Sequence, residues 1–134
     1  MKMKKRNKDN RFDIDLDFGN IGEEYIQEIF DGDGKVEVKT ERDMGESNKW
    51  KTTGNMVIEF MCRGKKSGIS VTQASTWVHC FYYKNKIEFS LVFNVKELKA
   101  KIKDLYKKGI ARRVKGGDNN LSDILLIPIK EMIK

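Results

Sequence analysis

The segment Gly34-Lys35-Val36-Glu37-Val38-Lys39-Thr40-Glu41 alternates valine with charge. That period of two describes a strand with one apolar face and one charged face. Glu37 and Lys39 are two apart, so both project from the same side. A carboxylate beside an ammonium on one strand face has the chemistry to hold a divalent metal and to polarise a water next to a phosphate. Exposed strands also alternate Glu and Lys as a plain solvated face, so the pair gains meaning only from its context.

The chain has 134 residues, a length that suits one domain with a single core. Its net charge of +7 and isoelectric point of about 9.4 favour a polyanionic partner, nucleic acid before membrane. No apolar run approaches the roughly 20 residues needed to span a bilayer. Met1 to Arg6 lead into polar residues rather than the apolar stretch of a signal peptide. Cys62 and Cys80 form neither a disulfide framework nor a zinc site. Both are expected reduced, in a cytoplasmic protein. Residues 1–10 read as a flexible basic arm and 11–134 as one domain.

Along the chain, residues 12–18 alternate Asp with apolar residues, as a soluble edge strand does. The stripe Ile21, Tyr25, Ile26, Ile29 and Phe30 predicts a helix over 21–30. Asp31-Gly32-Asp33-Gly34 turns the chain into the Glu37 strand. A charged loop over 42–53 carries Trp50 between Lys49 and Lys51. Residues 55–62 then read as a central strand, apolar on both faces except for Glu59. A buried carboxylate is costly unless paired or bound to a cation. Glu59 is therefore either a partner of Lys39 across a hairpin or a metal ligand. Arg63-Gly64-Lys65-Lys66-Ser67-Gly68 is a basic turn, either a phosphate cradle or a solvated hairpin. Thr72 is placed as the cap of a helix over 73–80, which carries His79, the only histidine. Strands follow over 81–83 and 87–93, then a basic helix from 95 to about 108 that Gly109 ends. Arg112 and Arg113 come next. Residues 121–129 are apolar, with Pro128 arguing against a central strand there.

The pattern Glu37-Val38-Lys39-Thr40-Glu41-Arg42-Asp43, then Thr53-Gly54-Asn55 with Ile58-Glu59-Phe60, then Gly64 to Ile69, then Thr72-Gln73-Ala74 and Trp77, resembles the PD-(D/E)xK nuclease superfamily. It is most similar to small members found largely in bacteriophage genomes. The likeness covers about residues 19–93. It implies an α/β (α+β) fold with the restriction-endonuclease-like αβββαβ core: a mixed central sheet, with residues 35–41 and 55–62 adjacent and the 21–30 and 73–80 helices flanking them.

That resemblance implies a metal-dependent endonuclease cutting DNA with little sequence preference. Glu37 and Lys39 match the Glu-x-Lys element. Gly19 with Glu23 looks like the glycine and helix glutamate of Holliday-junction-resolvase-like members, with Glu24 as the alternative. Gln73 matches a glutamine after the core strands. The family's first acidic residue normally lies on the strand before Glu-x-Lys, some ten or more residues upstream, whereas here only six residues separate the helix end from Glu37, with Asp31 and Asp33 in that gap. Either Asp33 takes its role, or Glu37 is the first acid and Glu59 the second, with a migrated Lys39. Glu37, Glu59 and one of Asp33 or Glu23 would hold one or two Mg²⁺ or Mn²⁺ ions. Lys51, Arg63, Lys65, Lys66, Arg112 and Arg113 would contact the backbone of DNA. The likeness also implies a homodimer, in a host cytoplasm if the chain is phage-encoded. The competing expectations are a non-catalytic basic nucleic-acid-binding module and a phage inhibitor of a host protein.

Overall fold

A computed structural model describes residues 20, 21, 23, 24, 27, 34–45 and 49–134, the side chain of Asp118 excepted. The chain divides into two compact units, Met1–Gly34 and Lys35–Lys134. In the first, Asn20, Ile21, Glu23, Glu24 and Gln27 are helical, at the start of the helix predicted over 21–30. The strand predicted over 12–18, the basic arm, and Asp31 and Asp33 lie outside the described residues.

The second unit is mixed α and β, the class that the sequence implies. Its strands are β1 (Val36–Asp43), β2 (Asn55–Cys62), β3 (Lys65–Lys66), β4 (Thr76–Tyr83), β5 (Lys86–Asn94), β6 (Arg112–Gly116) and β7 (Ser122–Pro128). Its helices are α1 (Trp50–Thr53), α2 (Val95–Lys107) and α3 (Ile129–Met132). The strands form two sheets. One is mixed, ordered β1-β4-β5, with β1 parallel to β4 and β5 antiparallel to it. The other is antiparallel, ordered β3-β2-β7-β6.

Two expectations are corrected here. Residues 35–41 and 55–62 are not neighbours in one sheet: β1 belongs to the mixed sheet and β2 to the antiparallel one. The strand adjacency on which the nuclease likeness leaned is absent. Residues 73–80 are not a helix either. Thr76-Trp77-Val78-His79-Cys80-Phe81-Tyr82-Tyr83 is a run of β-branched and aromatic residues, favoured in strands. It sits centrally between β1 and β5, and Trp77, His79, Cys80 and Phe81 are buried. Thr72 caps no helix. Its hydroxyl accepts from the Ala74 N–H at 3.2 Å, closing a local turn ahead of β4.

Smaller differences have equally local causes. The loop predicted over 42–53 begins only after Asp43, whose buried carboxylate accepts from the Gly45 and Lys51 N–H groups. Trp50 opens α1 and is buried, its Nε1 donating to the Tyr82 carbonyl at 2.8 Å. β7 is central despite Pro128. The proline closes the strand against Asn55 of β2, beyond Leu126, where pairing with β6 starts, so no ladder bond on the β6 side is lost. The basic turn is a two-residue hairpin: Arg63 (φ 53) and Gly64 (φ 76) link β2 to β3 with positive φ at both positions. The helix predicted from 95 is found as α2, with Asn94 accepting from the Glu97 N–H.

One hydrophobic core joins the two sheets and α2. Met56 and Ile58 of β2 and Leu125 and Ile127 of β7 meet Trp77 and Phe81 of β4 and Leu98, Ile102 and Leu105 of α2. Trp50 packs edge-on to Phe81, and Phe81 stacks on Phe89 at 4.6 Å between centroids.

Candidate functional site

Among the described residues β1 is an edge strand, and its two faces differ as the alternation implies. Val36 and Val38 are exposed on one side. On the other, Glu37, Lys39, Glu41 and Asp43 follow one another at period two, beside Trp77, His79, Phe81 and Tyr83 of β4 in register. Among the described residues, β2 has no strand partner along residues 55–60 on the edge away from β7. That open edge is met by a side chain: the Val57 N–H donates to Oε1 of Glu41. A carboxylate from one sheet thereby satisfies the backbone of the other.

Glu41 Oε1 also lies 2.7 Å from His79 Nε2. Trp77 Nε1 is 3.1 Å from His79 Nδ1, and an indole N–H only donates. Nδ1 must therefore accept, which assigns the ring proton to Nε2 and makes that atom the donor to Glu41. The buried chain Trp77–His79–Glu41 fixes the carboxylate. Both contacts fall on Oε1, leaving Oε2 without a partner among the described residues.

Lys39, Glu41, Glu59, Gly68, Trp77 and His79 line one cavity of about 270 Å³. Glu59 accepts from the Ser122 hydroxyl at 2.7 Å through one oxygen. Lys39 pairs with Glu37 at 3.2 Å and not with Glu59, so of the two alternatives for Glu59 the hairpin pairing is absent. Glu37 also accepts from Thr72 Oγ1 at 2.6 Å, and it lines the neighbouring cleft with Thr72 and Gln73. Lys39 thus pairs with one carboxylate, Glu37, and shares a cavity with another, Glu59.

The Thr72 hydroxyl, then the hydrogen bond and charge of Lys39, hold the Glu37 carboxyl below its ordinary value, against the opposing effect of burial. A carboxyl depressed in the folded state stabilises the fold fully above its ordinary unfolded pKa, and that contribution is lost as pH falls through the folded value. Glu37→Gln is therefore expected to lower the urea midpoint at about pH 7 and to differ less from wild type in acid, once the carboxyl is protonated in both states. Urea denaturation at both pH values checks this.

The other predicted residues scatter. Gln73 lies in the segment before β4, not on a helix. Glu23 is helical in the first unit, and Asp33 is outside the described residues. Lys51 pairs with Glu88 at 2.5 Å and sits 4.0 Å from the Tyr83 ring centroid. Arg63, Lys65, Lys66, Arg112 and Arg113 are exposed. Arg112 lines a second cleft of about 610 Å³ with Arg42 and Lys49. Glu41 and Val57 line both this cleft and the Lys39 cavity, so a basic channel adjoins the carboxylates.

Read from sequence alone, Glu41 and His79 have no role in the site. The signal for Glu41 was its place two residues beyond Lys39 on the same strand face. His79 carried no comparable signal, since its role depends on β4 being a strand.

Among the described residues, no group of three His, Cys, Asp or Glu side chains stands at metal-ligand spacing. Mg²⁺ commonly takes one or two protein carboxylates and completes its shell with water and substrate phosphate. Glu41 and Glu59, two hard oxygen donors on one cavity, fit that smaller requirement. No family model, no curated protein and no solved structure matches the chain.

Proposed function

We propose that this chain is a metal-dependent endonuclease that hydrolyses phosphodiester bonds of DNA. The observation that carries the reading is the cavity shared by Lys39, Glu41 and Glu59, opening beside the cleft of Arg42, Lys49 and Arg112. Glu41 and Glu59 would hold the Mg²⁺ or Mn²⁺ ion, Glu41 replacing Glu37 in the ligand set expected from sequence, because Glu37 lines a different cleft from Glu59. When bound, the ion supplies Lewis-acid polarisation of the phosphate and of a coordinated water. His79 and Val57 hold Glu41 in place, and Ser122 holds Glu59. Glu37 positions the Lys39 ammonium. Lys39 orients the attacking water and stabilises negative charge on the phosphate oxygens as the new P–O bond forms and the bond to the leaving sugar oxygen breaks. The basic cleft seats the adjoining backbone, a contact that carries no base preference. The nuclease resemblance further implies a homodimer, whose two active sites would cut both strands in one encounter.

The test is cleavage of supercoiled plasmid by the Glu41→Gln and Glu59→Gln double variant. Nicking is expected to fall by at least about a hundredfold, since even supporting residues of metal sites are worth 10–100-fold. Wild-type nicking by the double variant would remove this site from the chemistry.

A second reading is a non-catalytic nucleic-acid-binding module. The separation of β1 and β2 into different sheets favours it, as does the lack of a three-ligand cluster among the described residues. It predicts tight DNA binding that is unchanged by Mg²⁺, with no cleavage.

A further inference from the structure

Sequence register places two different surfaces on the two faces of the antiparallel sheet. Arg112 pairs with Leu126 and Arg113 with Leu125. Directly opposed residues share a face and successive ones alternate. Arg112 and Leu126 line the cleft beside Glu41, whereas Arg113 and Leu125 line a separate groove of about 470 Å³ against α2.

On α2 the groove takes Lys99, Ile102, Lys103 and Tyr106, spaced i, i+3, i+4 and i+7, a single helical stripe. Phe60 and Lys66 supply the opposite wall. Phe60 is the extra residue of a bulge in β2, where pairing with β7 shifts between Glu59 and Met61. Glu59 and Phe60, successive residues of β2, open to opposite sides, Glu59 on the Lys39 cavity and Phe60 on the groove. The floor is apolar, built by Ile69, Ile102 and Leu125. Among the described residues the wall carries four cations and no carboxylate, although Asp123 lies behind Arg113 at 3.6 Å and is paired chiefly with Lys115 at 2.8 Å. Arg113 lies 5.1 Å over the Phe60 ring, and the Tyr106 side chain is left half exposed.

We infer that this groove binds single-stranded nucleic acid, with an unstacked base against Tyr106 and the Arg113–Phe60 pair and the flanking phosphates on Lys66, Lys99 and Lys103. Cations alone would suit any polyanion. Flat π surfaces recessed among them suit a base, because stacking on aromatic rings within a basic groove is how single strands are held without sequence preference. A duplex keeps its bases paired and offers only phosphates. The groove lies on the face of the sheet opposite the proposed catalytic cavity, so it would hold an unpaired strand or flap rather than the bond being cut. The site stands without the nuclease reading, and together with it would make the enzyme selective for DNA carrying single-stranded segments.

The experiment is fluorescence anisotropy with oligo(dT) and with a duplex of equal length, in EDTA so that cleavage plays no part. Tyr106→Ala is expected to weaken oligo(dT) binding roughly five- to a hundredfold and to leave duplex binding within about twofold. Lys99→Gln with Lys103→Gln is expected to flatten the salt dependence of oligo(dT) binding by about 0.7 in log–log slope per lost contact. Lys103 and Tyr106 are exposed and Lys99 is half-buried, and far-UV circular dichroism checks the fold. The inference is overturned if Tyr106→Ala leaves oligo(dT) affinity unchanged, or if it weakens both ligands equally. It is also overturned if the lysine variants alter binding of an acidic peptide or of anionic vesicles but not of oligo(dT). A failed plasmid-cleavage assay would sink the nuclease reading while leaving these affinities as they are.

Discussion

Lys39→Ala is expected to lower metal-dependent DNA cleavage by at least about 10²–10³-fold, the loss that follows removal of one preorganised group stabilising a transition-state charge. DNA affinity should stay within a few-fold of wild type, because one lysine among 27 cationic residues contributes little to phosphate attraction. The two effects separate because Lys39 sits where the chemistry is proposed. It pairs with Glu37 at 3.2 Å and lines the cavity of Glu41 and Glu59. Single-turnover cleavage and filter binding on the same preparations measure them. If Lys39→Ala instead cuts at the wild-type rate while losing affinity, the charged face of β1 is an ordinary solvated one.

Gly68→Ala is expected to damage both stability and cleavage. Gly68 has φ +53, and a Cβ built there would lie 2.2 Å from the Glu59 carbonyl oxygen and 2.9 Å from the Glu59 carbonyl carbon. Those are backbone atoms in the bulged part of β2, so no side-chain rotation relieves the contact. A non-glycine residue in the left-handed region costs about 1–2 kcal/mol, and forced overpacking typically adds about 1–3 kcal/mol. The relaxation open to the chain is to push β2 away at Glu59, which would withdraw that carboxylate from the cavity. Urea denaturation measures the first effect and cleavage per folded molecule the second. A variant of wild-type stability would mean that the 67–70 segment yields freely and does not hold Glu59.

How far the sequence led depended on whether the pattern was local. The alternation in residues 34–41 placed β1 and the common side of Glu37 and Lys39, because period two needs no knowledge of neighbours. Leu98, Ile102 and Leu105 placed α2 in the same way. Residues 73–80 misled because Thr72 reads as a cap and Ala74, Trp77 and Val78 fit a helical spacing. The β-branched and aromatic content of residues 76–83, with burial between two strands, outweighed that signal. Once residues 76–83 are a strand, β1 pairs with them in parallel, and β2 goes to the other sheet. That exchange is non-local and left no mark in either segment. It also explains the incomplete reading of the site. Lys39 and Glu59 were legible as chemistry and share a cavity. Glu41 and His79 join them only through contacts between strands 38 residues apart in sequence.

The most direct measurement is a nuclease assay of the wild-type chain on linear, nicked, single-stranded and four-way-junction DNA, each with Mg²⁺, with Mn²⁺ and with EDTA. The proposed function requires metal-dependent cleavage of at least one substrate, stopped by EDTA and restored by excess metal. Tight binding to these DNAs with no cleavage in either metal would contradict it and leave the chain a basic nucleic-acid-binding module.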